Sequence, residues 1–137
     1  MSIEANKALV HRFLEEAWNR KNPEIADELL APSYVYHGSG QEPGPGGARN
    51  LIALFSTAFP DATATVNNIV AEGEQVAVRW TTEGTHLGDF GGLPATGQKV
   101  VMTGMEFFRI VDGKVVERWS NSDTLGLLQQ LGVVSPA

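Results

Sequence analysis

The dipeptide Asp112-Gly113, set between two long runs rich in β-branched and aromatic residues, constrains this chain more than any other feature. Both central positions of a two-residue hairpin favour positive φ, which Asp and Gly tolerate, so the pair predicts two antiparallel strands, residues 99–111 and a second beginning near Lys114. Regular alternation along the second strand sends Val115, Glu117, Trp119, Asn121 and Asp123 to one face and Val116, Arg118, Ser120 and Ser122 to the other. A face carrying a ring, an amide and two carboxylates suits neither a core, where unpaired charge is costly, nor a solvated surface, where a Trp gains little. It predicts the wall of a pocket.

Upstream the apolar period is helical. Leu9, Val10, Phe13, Leu14, Ala17 and Trp18 fall three and four apart, which predicts an amphipathic helix over residues 3–21. Asn22 and Pro23 predict the cap and first turn of a second helix, with Ile25, Ala26, Leu29 and Leu30 as its apolar side, ended by Pro32. A short extended segment, SYVYH, precedes the loop GSGQEPGPGG, expected to lack regular structure and to lie over an opening. A third helix is expected over residues 48–59. The period then changes to two, and strands are expected at 63–71, 75–86, 99–111 and from 114, with a short helix at 124–131. Gly84 and Gly104, inside two long strands, are consistent with bulges or kinks that would curve the sheet. Helices followed by a meander indicate an α+β fold in one domain spanning residues 1–137.

With 137 residues and 42% hydrophobic content, one core and one internal cavity are affordable within a single domain. A formal charge of -6 argues against nucleic acid or an anionic membrane as partner. The absence of cysteine excludes a disulfide framework, a thiolate nucleophile and Cys-ligated zinc. No His or acidic pair has ligand spacing on one element, so no metal is expected. The first residues read as neither signal peptide nor membrane span, and cytoplasmic residence is the expectation.

The runs GTHLGDFGGLPATGQKV (84–100) and FFRIVDGKVVERWSNSDTLGLLQQLG (107–132), with YVYHG and VAEGEQVAVRWT upstream, resemble the SnoaL-like polyketide cyclase family of the nuclear transport factor 2-like superfold. The resemblance spans essentially the whole chain. It implies a cone-shaped, strongly bent antiparallel sheet packed on about three N-terminal helices around an internal pocket, as in cystatin-like folds. It also implies a homodimer or homotetramer formed through the outer sheet face. In the family's cyclases an Asp on the last strand serves as acid/base in an intramolecular aldol closure of a polyketide ester, without cofactor; the matching residue is Asp123. Where such cyclases often carry a His shortly before the Phe-Arg pair, this chain has Glu106.

The catalytic candidates are therefore Asp123, His37 and Glu106. Trp18, Tyr34, Phe55, Phe59, Met102 and Trp119 are candidates to line a pocket for a small hydrophobic or aromatic substrate, with Arg79, His86 and Asn121 orienting its polar groups. Each has a structural alternative. Asp123 is also a favoured helix N-cap, the histidines can be packed hydrogen-bonding residues, and Arg79 can point outward in a surface ion pair. Two rival functions follow: an epoxide hydrolase using Arg79 between two carboxylates, resembling the limonene epoxide hydrolases, or a binding protein that holds a hydrophobic metabolite without turnover.

Overall fold

A computed structural model of the chain describes residues 2–38 and 42–135. Ser2 caps α1 (Ile3–Leu14) by accepting from the Ala5 N–H, and the helix widens into a π-helical turn at Glu15–Asn19. Its buried stripe of Val10, Phe13, Leu14 and Ala17 is the one the spacing predicts. The second helix, α2 (Ile25–Leu29), is shorter than expected, because strand β1 (Leu30–His37) already begins before Pro32. Proline is tolerated there because β1 is outermost in the sheet, where a missing N–H need cost no ladder bond.

Helix α3 (Gly44–Ala58) starts four residues before the expected position. Part of the Gly/Pro run is therefore helical, since Pro45 occupies the first turn, where its lost N–H has no intrahelical partner to begin with. Residues 39–41 of that run lie outside the described residues. Strands β2 (Thr63–Glu72), β3 (Gln75–Thr85), β4 (Lys99–Val111) and β5 (Lys114–Ser122) form the expected meander, and α4 (Thr124–Gln130) follows. The hairpin turn has φ of 49° at Asp112 and 75° at Gly113, as its chemistry demands.

The sheet order is β1-β5-β4-β3-β2, with β1 parallel to β5 and the other pairs antiparallel. Helix α1 lies against β2 and β3, and α3 against β1. Phe13 of α1 meets Phe108 of β4 edge-on at 6.1 Å in the centre of the core. The chain is an α+β fold with a curled, unclosed sheet.

Neither Gly84 nor Gly104 is a bulge, since the β3–β4 register runs unbroken through both. Gly104 instead makes room: a Cβ there would stand 2.4 Å from Cζ2 of Trp80. The register shifts lie elsewhere: one gives β2 an extra residue at Asn67, one gives β5 an extra residue at Val116, and a third falls in β1 between Leu30 and Val35. Such insertions bend a strand and change which side chains face the core.

Candidate functional site

The bulge at Val116 reverses the expected faces of β5. Val115 is fully buried, but after the extra residue it is Arg118, Ser120 and Ser122 that turn inward, where all three line a cavity of about 630 Å³. Glu117 and Trp119 are left on the outer face, opposite Arg109 and Phe107 of β4. The inner face of β4 contributes Val100, Met102 and Glu106, and that of β3 contributes Trp80 and Thr82. Trp18 of the π-helical turn and Leu51, Phe55 and Ser56 of α3 close the opposite side, together with Phe59. Exposed His11 and Arg12 of α1 and Glu15 of the π-helical turn stand at its rim.

The chain enters the cavity wall through an amide clamp. Asn19 donates from Nδ2 to the Ala64 carbonyl at 3.0 Å and accepts from the Ala64 N–H at 2.6 Å, while Lys21 donates to the Ala62 carbonyl at 2.8 Å. These bonds fix the π-helical turn, and with it Trp18, against β2. Trp18 then meets Phe55 edge-on at 5.9 Å across the cavity wall.

The strongest electrostatic feature is the ion pair between Glu106 and Arg118. Their side chains are 2% and 5% exposed, which removes both charges from bulk water. Arg118 donates from Nε at 2.9 Å and also from Nη2, both to the same oxygen, Oε1 of Glu106. Oε2 of Glu106 and the Tyr34 hydroxyl have no hydrogen-bond partner among the described residues. Burial opposes the charge on Arg118, but Glu106 and Tyr34 more than offset it and hold the guanidinium above its ordinary range. Burial likewise pushes the Tyr34 hydroxyl up, with Arg118 opposing. The guanidinium lies 5.3 Å from the Tyr36 ring centroid and 5.6 Å from that of Phe108, so aromatic faces supply part of its solvation.

Of the residues singled out from the sequence, Trp18, Phe55, Phe59, Met102 and Glu106 line the cavity. Tyr34 is buried in the core beside Arg118 rather than in the wall. Asn121 borders a smaller hollow of about 220 Å³ that shares Tyr36, Phe55 and Met102 with the main cavity. Four more of them line neither hollow. His37 and Trp119 are on the outer face, stacked at 4.9 Å, with His37 Nε2 donating to Glu117 at 2.8 Å. Arg79 also points outward, exposed, donating to Asn68 at 2.8 Å, which removes the hydrolase reading built on it. His86 is fully buried outside the cavity wall, packed 5.5 Å from Phe59, and its Nδ1 accepts from the Thr96 N–H at 3.2 Å.

Asp123 directly follows β5, and its N–H donates to the Thr103 carbonyl at 2.9 Å. Its Oδ1 accepts from the Gly126 N–H at 2.9 Å as the N-cap of α4, and a Cβ at Gly126 would collide with the same carboxylate. The carboxylate is not part of the main cavity wall, although its neighbours Ser122 and Thr124 border the smaller hollow. Arg118, Ser120 and Ser122 were missed on parity alone, because nothing in the pair Val115-Val116 marks one of them as the extra residue.

Among the described residues no three His, Asp or Glu side chains cluster as a metal site, and no helix is long and apolar enough to cross a membrane. The fold and site define a class, a cone-like α+β fold with a largely apolar cavity and a buried ion pair in its wall. Comparison with known proteins supplies the family. The chain belongs to the SnoaL-like polyketide cyclase family, whose model matches residues 8–131. It is 30% identical to the aklanonic acid methyl ester cyclase DnrD of Streptomyces peucetius, over 90% of this chain and 88% of that protein. It is 28% identical to the nogalonic acid methyl ester cyclase of Streptomyces nogalater, over 85% and 90% respectively. The solved structure of TsrD from Streptomyces laurentii matches with a TM-score of 0.88 at 29% identity, covering 98% of this chain and 99% of that one.

Proposed function

We propose that this protein closes a ring in a small polyketide ester by cofactor-independent, aldol-type acid/base chemistry. The observation that carries the reading is the cavity: about 630 Å³, lined mainly by aromatic and aliphatic groups, with Ser120 and Ser122 in its wall on the strand that Asp123 follows. A carbon flanked by two carbonyls gives up its proton to the Asp123 carboxylate. The resulting enolate carbon attacks a ketone carbon of the same molecule, a C–C bond forms, and the new alkoxide takes back a proton. Ser120 and Ser122 supply hydrogen-bond donors for oxygens on which negative charge develops. The names of the relatives, both methyl ester cyclases, support the substrate class.

One observation favours a second reading, ligand binding without turnover: the hydrogen bond to the Asp123 side chain comes from a helix amide, as in an ordinary cap. Asp123→Asn separates the two, because Asn caps a helix as well as Asp but cannot accept the proton. Turnover of a polyketide methyl ester by wild type, reduced about 10²- to 10⁴-fold in Asp123→Asn with unchanged thermal stability, is the expected result. Equal turnover by both proteins removes Asp123 from the chemistry. We further propose self-association through the outer sheet face, supported by Val101, Met105 and Phe107, each about half exposed there. Light scattering on wild type and Phe107→Glu tests this, with a monomeric wild type contradicting it.

A further inference from the structure

We infer that Trp80 is a stacking platform for a flat, conjugated part of the ligand, laid against the sheet by the glycine at position 104. Trp80 of β3, Gly104 of β4 and Ser122 of β5 stand side by side across the sheet. A Cβ at Gly104 would fall 2.4 Å from Cζ2 and 2.8 Å from Cε2 of the indole, so the ring reaches over β4 and rests against its backbone. The strand itself does not call for glycine there, since the register is unbroken and Gly104 is outside the left-handed region. The ring does, because any side chain would lift it off the sheet. With one side against β4, Trp80 is still only partly buried and lines the cavity, so its remaining surface is open to a ligand. Trp18, Phe55 and Phe59 in the same wall are each engaged by another ring. Trp80 takes part in none of the ring pairs among the described residues.

An aromatic ring that meets another flat ring gains attraction beyond the burial of apolar area, whereas a saturated, puckered ring of the same size obtains the burial alone. Trp80 therefore selects for planarity rather than for apolar character as such. The inference rests on the reading of this cavity as the substrate site and sharpens it at one end. Ser122, beside the platform, is the last residue of β5 before Asp123. The planar part of the ligand is accordingly the part next to the reacting carbons, and a puckered ring or a freely rotating chain in that place forfeits the contact. Trp80 is thus a specificity-determining residue for the ring closure.

Calorimetric titration of the whole protein with 2-naphthol and with decahydro-2-naphthol, its saturated and puckered analogue, tests the platform without any turnover. Trp80→Leu removes apolar contact from both ligands but stacking from the flat one only, and is expected to weaken the naphthol about 3- to 10-fold more than the saturated alcohol. Trp80→Phe is expected to keep most of the discrimination. Gly104→Ala retains the indole but lifts it from β4, and is expected to penalise the naphthol selectively as well; it carries the same comparison if Trp80→Leu does not fold. Equal losses for the two ligands overturn the platform and make Trp80 an ordinary part of the apolar wall. Unchanged binding of both also overturns it, since the flat ring then rests elsewhere in the cavity. In either case the cyclase reading stands, because turnover of a polyketide methyl ester is measured independently. Binding of neither ligand to wild type overturns the platform together with the reading of the cavity as a site for small apolar molecules.

Discussion

Strands β4 and β5 carry one arginine–carboxylate assembly on each face, and the two have opposite characters. Inside, Arg118 and Glu106 are almost wholly buried between aromatic rings. Outside, Arg109 donates to Glu117 at 2.6 Å and reaches Glu74 at 3.5 Å, while Glu117 also accepts from His37. The residue types are the same and the strands are the same. What separates them is a single inserted residue, Val116, which sends Glu117 out and Arg118 in. The comparison teaches that residue chemistry does not decide what an ion pair does. Removal from water makes the inner pair demanding, since losing either partner strands a buried charge, whereas the outer network is solvated and screened.

Breaking the inner pair on one side is expected to have the largest effect. Glu106→Ala or Arg118→Ala should destabilise the fold by about 3–5 kcal/mol in denaturant titrations. Replacing both, as Glu106→Leu with Arg118→Met, should recover most of that loss, and a double variant as unstable as the singles would show that the pair is held by more than its own charge balance. A smaller effect tests the contrast of faces without charge. Gly104→Ala, on the inner face against Trp80, should cost about 1–3 kcal/mol through overpacking, whereas Thr103→Ala next to it on the outer face should stay within about 0.5 kcal/mol. Where the two faces meet at the end of β5, Asp123→Ala should cost about 1 kcal/mol for the lost cap and Asp123→Asn almost nothing.

The smallest effect belongs to the outer network. Hydrogen bonds from His37 and Arg109 hold the Glu117 carboxyl below its ordinary value of 4.5. A depressed folded-state value means that its stabilisation is present above the unfolded value and is lost as pH falls through the folded one. Glu117→Gln should therefore slightly flatten the acid limb of the stability curve, and added salt should erase the difference near neutral pH. An acid limb that stays the same in the variant would assign the acid sensitivity to other carboxylates.

Much of this was legible in the residues. Helical spacing located the buried stripe of α1, and Asp112-Gly113 located the hairpin, because both signals are local and periodic. Size and polarity marked Trp18, Phe55, Phe59 and Met102 as candidates for the cavity wall, but marked Tyr34 and Trp119, which stand outside it, equally well. The faces of β5 were not. Counting outward from the turn by twos makes Glu106 the partner of Trp119, and one extra valine makes it the partner of Ser120. Both residues of Val115-Val116 are apolar, so composition does not betray the slip, and every later assignment on the strand inherits the error. The face of Arg79 stayed open for a related reason: a lone arginine between Val78 and Trp80 reads equally well on either face until the register is known.

The amide clamp of Asn19 on Ala64 has a consequence beyond holding Trp18. β2 is the last strand on its side of the sheet, and its unpaired peptide groups form a template on which another chain can add a strand. By donating to the Ala64 carbonyl and accepting from its N–H, the Asn19 side chain imitates the peptide of a neighbouring strand, and Lys21 covers the Ala62 carbonyl beside it. The start of β2 thus carries a counterfeit partner supplied by its own helix, a guard against intermolecular pairing and aggregation along that edge.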